Sequence, residues 1–152
     1  MNVYRRKTMN LKGKKIYLAS GWFTENQEKR LSKAEEVLRT MGFDVFSPRE
    51  HQFKELVYNT QPWRDVVFKN DVDNVKDADF IFAIYDETDS GTMFEIGLAY
   101  AIGKPIFVFH EKDEYCNLMI SESLQAYFKT WEDVQNYDWT TCPLIRFEGE
   151  VE

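Results

Sequence analysis

Asp79-Phe-Ile-Phe-Ala-Ile-Tyr85, Asp86-Glu-Thr-Asp-Ser90, Gly91-Thr-Met-Phe-Glu-Ile-Gly-Leu-Ala-Tyr-Ala-Ile102 and Gly103-Lys-Pro-Ile-Phe-Val-Phe109 follow one another without a break, and their order decides the fold. Asp79–Tyr85 is almost wholly apolar, as a strand covered on both faces must be. An acid-rich turn separates it from Gly91–Ile102, which reads as a helix closed by Gly103. Pro105–Phe109 is a second apolar strand. Strand, helix and strand at this spacing form a right-handed crossover between parallel neighbours.

The same alternation continues in both directions. Lys15–Ser20 carries Ile16, Tyr17, Leu18 and Ala19 and ends at Gly21, so it predicts a buried first strand. Thr24 can cap a helix to about Met41, with Leu31, Ala34, Val37, Leu38 and Met41 on one face and Gly42 as its stop. Phe43–Ser47 is a second strand, stopped by Pro48. Arg49 to Gln61 has no clear period, and a loop that long inside a compact domain is usually functional. Pro62–Lys76 reads as a helix with proline at its permitted end. Beyond Phe109 a helix begins near Asn117, Ala126–Lys129 is a short fifth strand, and Trp131–Tyr137 is a last helix. The prediction is an α/β, single-domain, flavodoxin-like (Rossmann-like) fold. Its five-stranded parallel sheet has order 2-1-3-4-5 and is flanked by helices, with ligand at the carboxyl ends of the strands. Residues 15–152 form the domain, and residues 1–14 are read as a flexible leader.

Bulk composition narrows the function. The chain has 152 residues, about one domain, and 43% are hydrophobic, enough for a core without metal or disulfide staples. Formal charge is 19 − 26 = −7, and such a chain repels a phosphate backbone, so no nucleic acid polymer is expected as partner. Cys116 and Cys142 share no ligand spacing, and His51 and His110 stand far apart, so no metal site is read. No apolar run is long enough to span a membrane, and the cysteine usage suits a reducing compartment, so a cytoplasmic protein is expected. Aromatics reach 16%, a surplus that must go into a core, a ring-binding pocket or an interface.

The predicted sheet singles out a few polar residues. Glu95 is the only charge in its helix. It is read either as a carboxylate kept ionised by the helix dipole and aimed into the crevice, or as the far end of a Thr92-x-x-Glu95 capping box. Asp71 shares a helix face with Val67, Phe68 and Val75, where an unpaired carboxylate is costly, so it is paired or functional. Asp89 lies in the acid-rich turn, where capping is the plain alternative. Asp86, Glu87 and Asp89 together would repel an anion bound at Ser90-Gly91-Thr92. The first loop, Ser20-Gly-Trp-Phe-Thr24, lacks basic residues and the glycine spacing for a dinucleotide, so the ligand is read as uncharged and no cofactor is expected. Trp22 and Phe23 can stack on a flat ring or simply cover the sheet edge. Tyr17 needs a buried partner for its hydroxyl, and Gln52 offers a donor and an acceptor to a base edge.

Taken together, Ile16-Tyr-Leu-Ala-Ser-Gly-Trp-Phe23, Lys69-Asn-Asp71, Asp89-Ser-Gly-Thr-Met-Phe-Glu-Ile-Gly97 and Asn117-Leu-Met119 resemble the nucleoside 2-deoxyribosyltransferases. The resemblance runs from about Lys15 to the C-terminus. It implies transfer of 2-deoxyribose from a 2′-deoxynucleoside to a free nucleobase, as in nucleotide salvage. Glu95 would attack C1′, and Tyr17 would hydrogen-bond Glu95. Asp71 and Asp89 would hold and protonate the base, Gly21, Trp22, Phe23 and Gln52 would help contain it, and Asn117 and Met119 would come from a neighbouring subunit of a homo-oligomer. The chain departs from some relatives in its N-terminal residues and in its ending, Phe147-Glu-Gly-Glu-Val-Glu152.

Two other readings are weighed beside this one. An N-glycosidase of 2′-deoxynucleoside 5′-monophosphates needs a phosphate cradle, which the acid-rich turn does not offer. A nucleotide-sensing module without turnover leaves Asp71 and Glu95 without a task.

Overall fold

The computed structural model describes residues 9–86, 88–112 and 115–152. The main sheet has five parallel strands in the order β2-β1-β3-β4-β6: β1 (Lys15–Ala19), β2 (Asp44–Phe46), β3 (Phe80–Ile84), β4 (Ile106–Phe109) and β6 (Ala126–Phe128). Counted over these five, that is the predicted 2-1-3-4-5 order. Four elements were placed within a residue or two: α1 (Glu25–Thr40), α2 (Gln61–Asp77), α3 (Ser90–Ala101) and α5 (Trp131–Asn136). The helix near Asn117 shrinks to a single turn, α4 (Leu118–Ser121), with the Asn117 side chain accepting the Met119 N–H at 2.9 Å.

One pairing had no signal in the sequence. The strands β5 (Tyr115–Cys116) and β7 (Glu150–Val151) pair in parallel, two residues each, and bring the end of the chain to Asn117. The Leu118 N–H donates to the Glu152 carbonyl at 2.9 Å. Two-residue strands carry no periodicity, so they form through tertiary contact alone.

Alternate residues of each strand enter opposite cores. Ile16, Leu18, Phe80, Phe82, Phe107 and Phe109 face α1 residues Leu31, Ala34 and Leu38. Tyr17, Ala19, Ile81, Ala83 and Val108 face Val75 of α2 and Ile96 and Ala99 of α3. Much of the aromatic surplus lies in the first core. Trp139 meets Phe107 at 4.9 Å between ring centroids, Tyr137 at 4.8 Å and Phe43 at 5.0 Å, and Trp131 stacks on Phe109 at 4.1 Å.

The leader drawn over residues 1–14 needs a correction. Residues 1–8 lie outside the described residues, but Leu11 is buried in the first core and its N–H donates to the Trp139 carbonyl at 2.8 Å. Packing therefore begins by Met9, which also touches that core.

Candidate active site

Strand polarity puts the carboxyl ends of β1 and β3 at one edge of the sheet, and a cleft of about 830 Å³ opens there. The first loop contributes Ser20, Trp22 and Phe23, and the long loop contributes His51, Gln52 and Tyr58. Asp71 comes from α2, and Asp89, Thr92 and Glu95 come from the start of α3.

At its floor the Tyr17 hydroxyl donates to Glu95 Oε1 at 2.8 Å. Tyr17 is fully buried and its ring stacks on Phe46, which in turn stacks on His51 at 4.6 Å. The capping-box reading of Glu95 does not hold. Asp89 occupies the N-cap position, so Glu95 lies one and a half turns into the helix, and Thr92 instead donates its hydroxyl to Asp89.

Burial is the largest influence and, with the nearby charges of Asp71 and Asp89, it outweighs the Tyr17 hydrogen bond and pushes the Glu95 pKa up to about 8. Asp71 is raised to about 6, again by burial, with a hydrogen bond from Asn70 opposing it. The larger shift thus falls on Glu95. Burial raises both values because the charged form of a carboxyl group loses hydration there. Burial first, then the Glu95 charge, pushes the Tyr17 hydroxyl far above its ordinary pKa, so it remains a donor.

Trp22 and Phe23 stack on each other at 5.1 Å, and Phe23 is 74% exposed at the mouth. Gln52 lines the same cleft, its amide donating to the Arg49 carbonyl at 2.7 Å. The long loop is shaped by a short 3-10 turn at Pro48–Glu50 and by left-handed backbone at Phe53 (φ 51°) and Asn59 (φ 65°). Lys54 is the loop's one cation at the cleft, against the carboxyl groups of Asp71, Asp89 and Glu95.

Trp22, Phe23, Gln52, Asp71, Asp89 and Glu95 therefore converge on one cleft, with Tyr17 buried beneath it against Glu95. Gly21 is buried beside it without lining it. Its missing side chain leaves room for Gln27, whose Nε2 would stand 2.9 Å from a Cβ at this position. Neither Asn117 nor Met119 lines the cleft: Met119, 75% exposed, borders a separate apolar groove with Met93, Tyr100 and Leu118, and Asn117 precedes that turn. His51, Tyr58 and Trp63 line the cleft and were not singled out from the sequence as site residues. Adjacency to Gln52 was the only available sign for His51. Among the described residues no group of three or more His, Cys, Asp or Glu side chains is set to hold a metal ion, and no helix is long and apolar enough to cross a membrane.

The family model for nucleoside 2-deoxyribosyltransferases matches residues 16–130. The nucleoside deoxyribosyltransferase of Limosilactobacillus fermentum is 31% identical over 133 residues, 76% of this chain and 79% of the relative. That of Lactobacillus leichmannii is 29% identical over 115 residues, 67% of this chain and 73% of the relative. A solved 2-deoxyribosyltransferase from Bacillus psychrosaccharolyticus superposes with a TM-score of 0.85 at 49% identity, covering 88% of this chain and 98% of that one. A CMP N-glycosidase from Clostridium botulinum, at 23% identity and a TM-score of 0.54 over 80% of this chain and 95% of that one, shares the fold. The chain belongs to the nucleoside 2-deoxyribosyltransferase family and is an enzyme of that class.

Proposed function

We propose that the enzyme transfers 2-deoxyribose from a 2′-deoxynucleoside to a free purine or pyrimidine base by a retaining double displacement through a glycosyl ester on Glu95. The observation that carries this reading is the 2.8 Å hydrogen bond from Tyr17 to Glu95 inside a cleft that also holds Asp71 and Asp89.

In the first half-reaction a Glu95 oxygen bonds to C1′ as the C1′–N bond breaks. The electron pair goes to the base nitrogen, and Asp71 supplies its proton. A second base then attacks C1′, the ester pair returns to Glu95, and the proton of the incoming base returns to Asp71. Both transition states carry oxocarbenium character on C1′, which an adjacent carboxylate stabilises. With pKa values of about 6 and about 8, Asp71 and Glu95 together hold roughly one proton near neutral pH. The reactive form places that proton on Asp71 and leaves Glu95 ionised.

Trp22 and Phe23 offer faces for the base, and Asp89 and Gln52 offer polar contacts to its edge. The preponderance of carboxyl groups over Lys54 favours an uncharged nucleoside over a nucleotide, which speaks against the monophosphate N-glycosidase reading. Asn117 and Met119 serve a neighbouring copy in a homo-oligomer, and the apolar side chains left exposed on α2 and α3, Phe68 at 61% and Phe94 at 54%, supply interface area. Residues 9–152 act as one domain, and a cytoplasmic salvage role fits the substrates.

Incubating the protein with deoxyinosine and adenine tests the reading. Deoxyadenosine is the expected product. Release of free deoxyribose alone, with no deoxyadenosine at any adenine concentration, overturns it.

A further inference from the structure

Gln27 is 6% exposed and uses every part of its amide. Its Oε1 accepts the N–H groups of Phe23 at 2.8 Å and Thr24 at 3.1 Å. Its Nε2 donates to Asp86 Oδ2 at 2.9 Å, across 59 residues of sequence. Asp86 is itself held on all sides. Arg30 reaches the same Oδ2 at 3.1 Å, and Thr88 donates its N–H at 3.0 Å and its hydroxyl at 2.7 Å to Oδ1. The Asp86 carbonyl accepts the Asp89 N–H at 3.0 Å. Burial raises the Asp86 pKa, but these donors and the Arg30 charge more than offset it, so the carboxylate stays ionised.

We propose that Gln27 is a positioning residue: through Asp86 it fixes the loop that carries Trp22 and Phe23 to the loop that carries Asp89, setting the separation of the two walls between which a base binds. The proposal rests on reading the cleft as the base site.

Helix capping explains only half of this side chain. Thr24 and Gln27 form a capping box, which needs an acceptor at the Gln27 position and is served equally by glutamate. The Nε2 donor to Asp86 is additional, and Gly21 is shaped around it. A Cβ on Gly21 would stand 2.9 Å from Nε2 and 3.0 Å from Cδ of Gln27, so even one methyl group displaces the amide. Because an accepting base must be placed between both walls while water needs neither, loosening the bracket should shift the glycosyl ester from transfer toward hydrolysis.

Gln27→Glu separates the two roles, since it keeps the cap acceptor, removes the donor and sets a like charge against Asp86. Three readouts are taken from the full chain: melting temperature, affinity for free adenine by calorimetry, and the ratio of deoxyadenosine formed to deoxyribose released from deoxyinosine. Gln27→Glu is expected to keep its melting temperature near wild type. Its product ratio and adenine affinity should each fall about tenfold, the scale of one lost charge-assisted hydrogen bond. Adding Asp86→Asn, which turns the acceptor into a donor, should restore part of both. Wild-type ratio and affinity in Gln27→Glu make Gln27 a helix cap only and overturn the bracket. So does an equal loss of transfer and hydrolysis. Should Gln27→Glu not fold, Asp86→Asn alone decides in the same way, because it sets a donor against Nε2 and leaves the Oε1 cap in place. Failure of the wild-type chain to make deoxyadenosine would instead strike the proposed function, whereas the adenine affinities still judge the bracket.

Discussion

Tyr17 and Glu95, 78 residues apart in sequence, meet through a single hydrogen bond of 2.8 Å beneath the cleft. The tyrosine stands on a strand buried on both faces, so its hydroxyl has little choice of partner, and the partner it finds is the one charge of α3. The bond favours the ionised carboxylate and so opposes the burial that raises its pKa.

Tyr17→Phe should therefore push the Glu95 pKa above its present value of about 8 and leave less of the nucleophile ionised at neutral pH. A fall of about ten- to a hundredfold in kcat/KM at pH 7 is expected, the effect of a hydrogen bond to a charged group worth roughly 1.5–3 kcal/mol. The deficit should shrink as pH rises. A deficit that stays constant from pH 6 to 9, as ordinary loss of packing would give, argues against this role.

Asp71 should appear in the pH profile of the wild type. kcat/KM is expected to be bell-shaped, with limbs near about 6 and about 8 that belong to the Asp71–Glu95 pair. Asp71→Asn removes the proton donor and also a charge that raises the Glu95 pKa. The residual activity should then lose its alkaline fall and rise with pH along a single limb, the ionisation of Glu95, which without the Asp71 charge lies below its present value of about 8. An Asp71→Asn profile that keeps both limbs would assign the acid to another group.

The parts of this arrangement that the sequence exposed are those with a repeating signal. Continuous apolar runs located β3 and β4, and the burial of Leu31 and Leu38 follows from helical spacing. Asp71 stood out because its neighbours on the helix are apolar. What could not be read depends on contacts between distant segments. Gln27 looked like an ordinary helix residue until Asp86 was placed beside it, and β5 with β7 is too short to have a period. The raised pKa of Glu95 was not legible for the same reason, since desolvation depends on the whole fold. The burial of Leu11 against Trp139 likewise could not be foreseen from a basic N-terminal stretch.

Glu95→Gln should trade activity for stability. The ordinary carboxyl value of 4.5 rises to about 8 in the folded chain, so between these values the native state holds a proton that the unfolded state has released. This contribution to stability is complete below about 4.5 and is lost as pH rises through about 8. At pH 9 the variant, which carries no charge to bury, is expected to melt above the wild type, with the gap closing toward pH 4. Transfer should be abolished throughout. Near-wild-type transfer by Glu95→Gln would remove the nucleophile from the mechanism.

Asn117 gives a test of shared sites, because it lies away from the cleft of its own chain. Glu95→Ala and Asn117→Ala chains should each be inactive alone. After mixing and subunit exchange some activity should return, since a mixed interface can assemble one site with both residues intact. If labelled chains exchange and no activity appears, each site is self-contained.

The covalent ester gives the last prediction, and it concerns what happens when no base is present. A glycosyl-Glu95 intermediate must wait for whichever nucleophile arrives. Water is always available, but it gains nothing from the Trp22 and Phe23 faces or from contacts with Asp89 and Gln52. A base held by those groups is already placed, and placement can be worth about 7–11 kcal/mol in favourable cases. Transfer should therefore outrun hydrolysis whenever free base is supplied, and without one the enzyme should turn over slowly as a hydrolase. Initial rates at several fixed acceptor concentrations should give parallel double-reciprocal lines. Mass spectrometry after donor alone should find a deoxyribosyl group on Glu95. Intersecting lines with no adduct at any time would mean direct displacement between two bound bases, and Glu95 would then act by stabilising charge at C1′ without bonding to it.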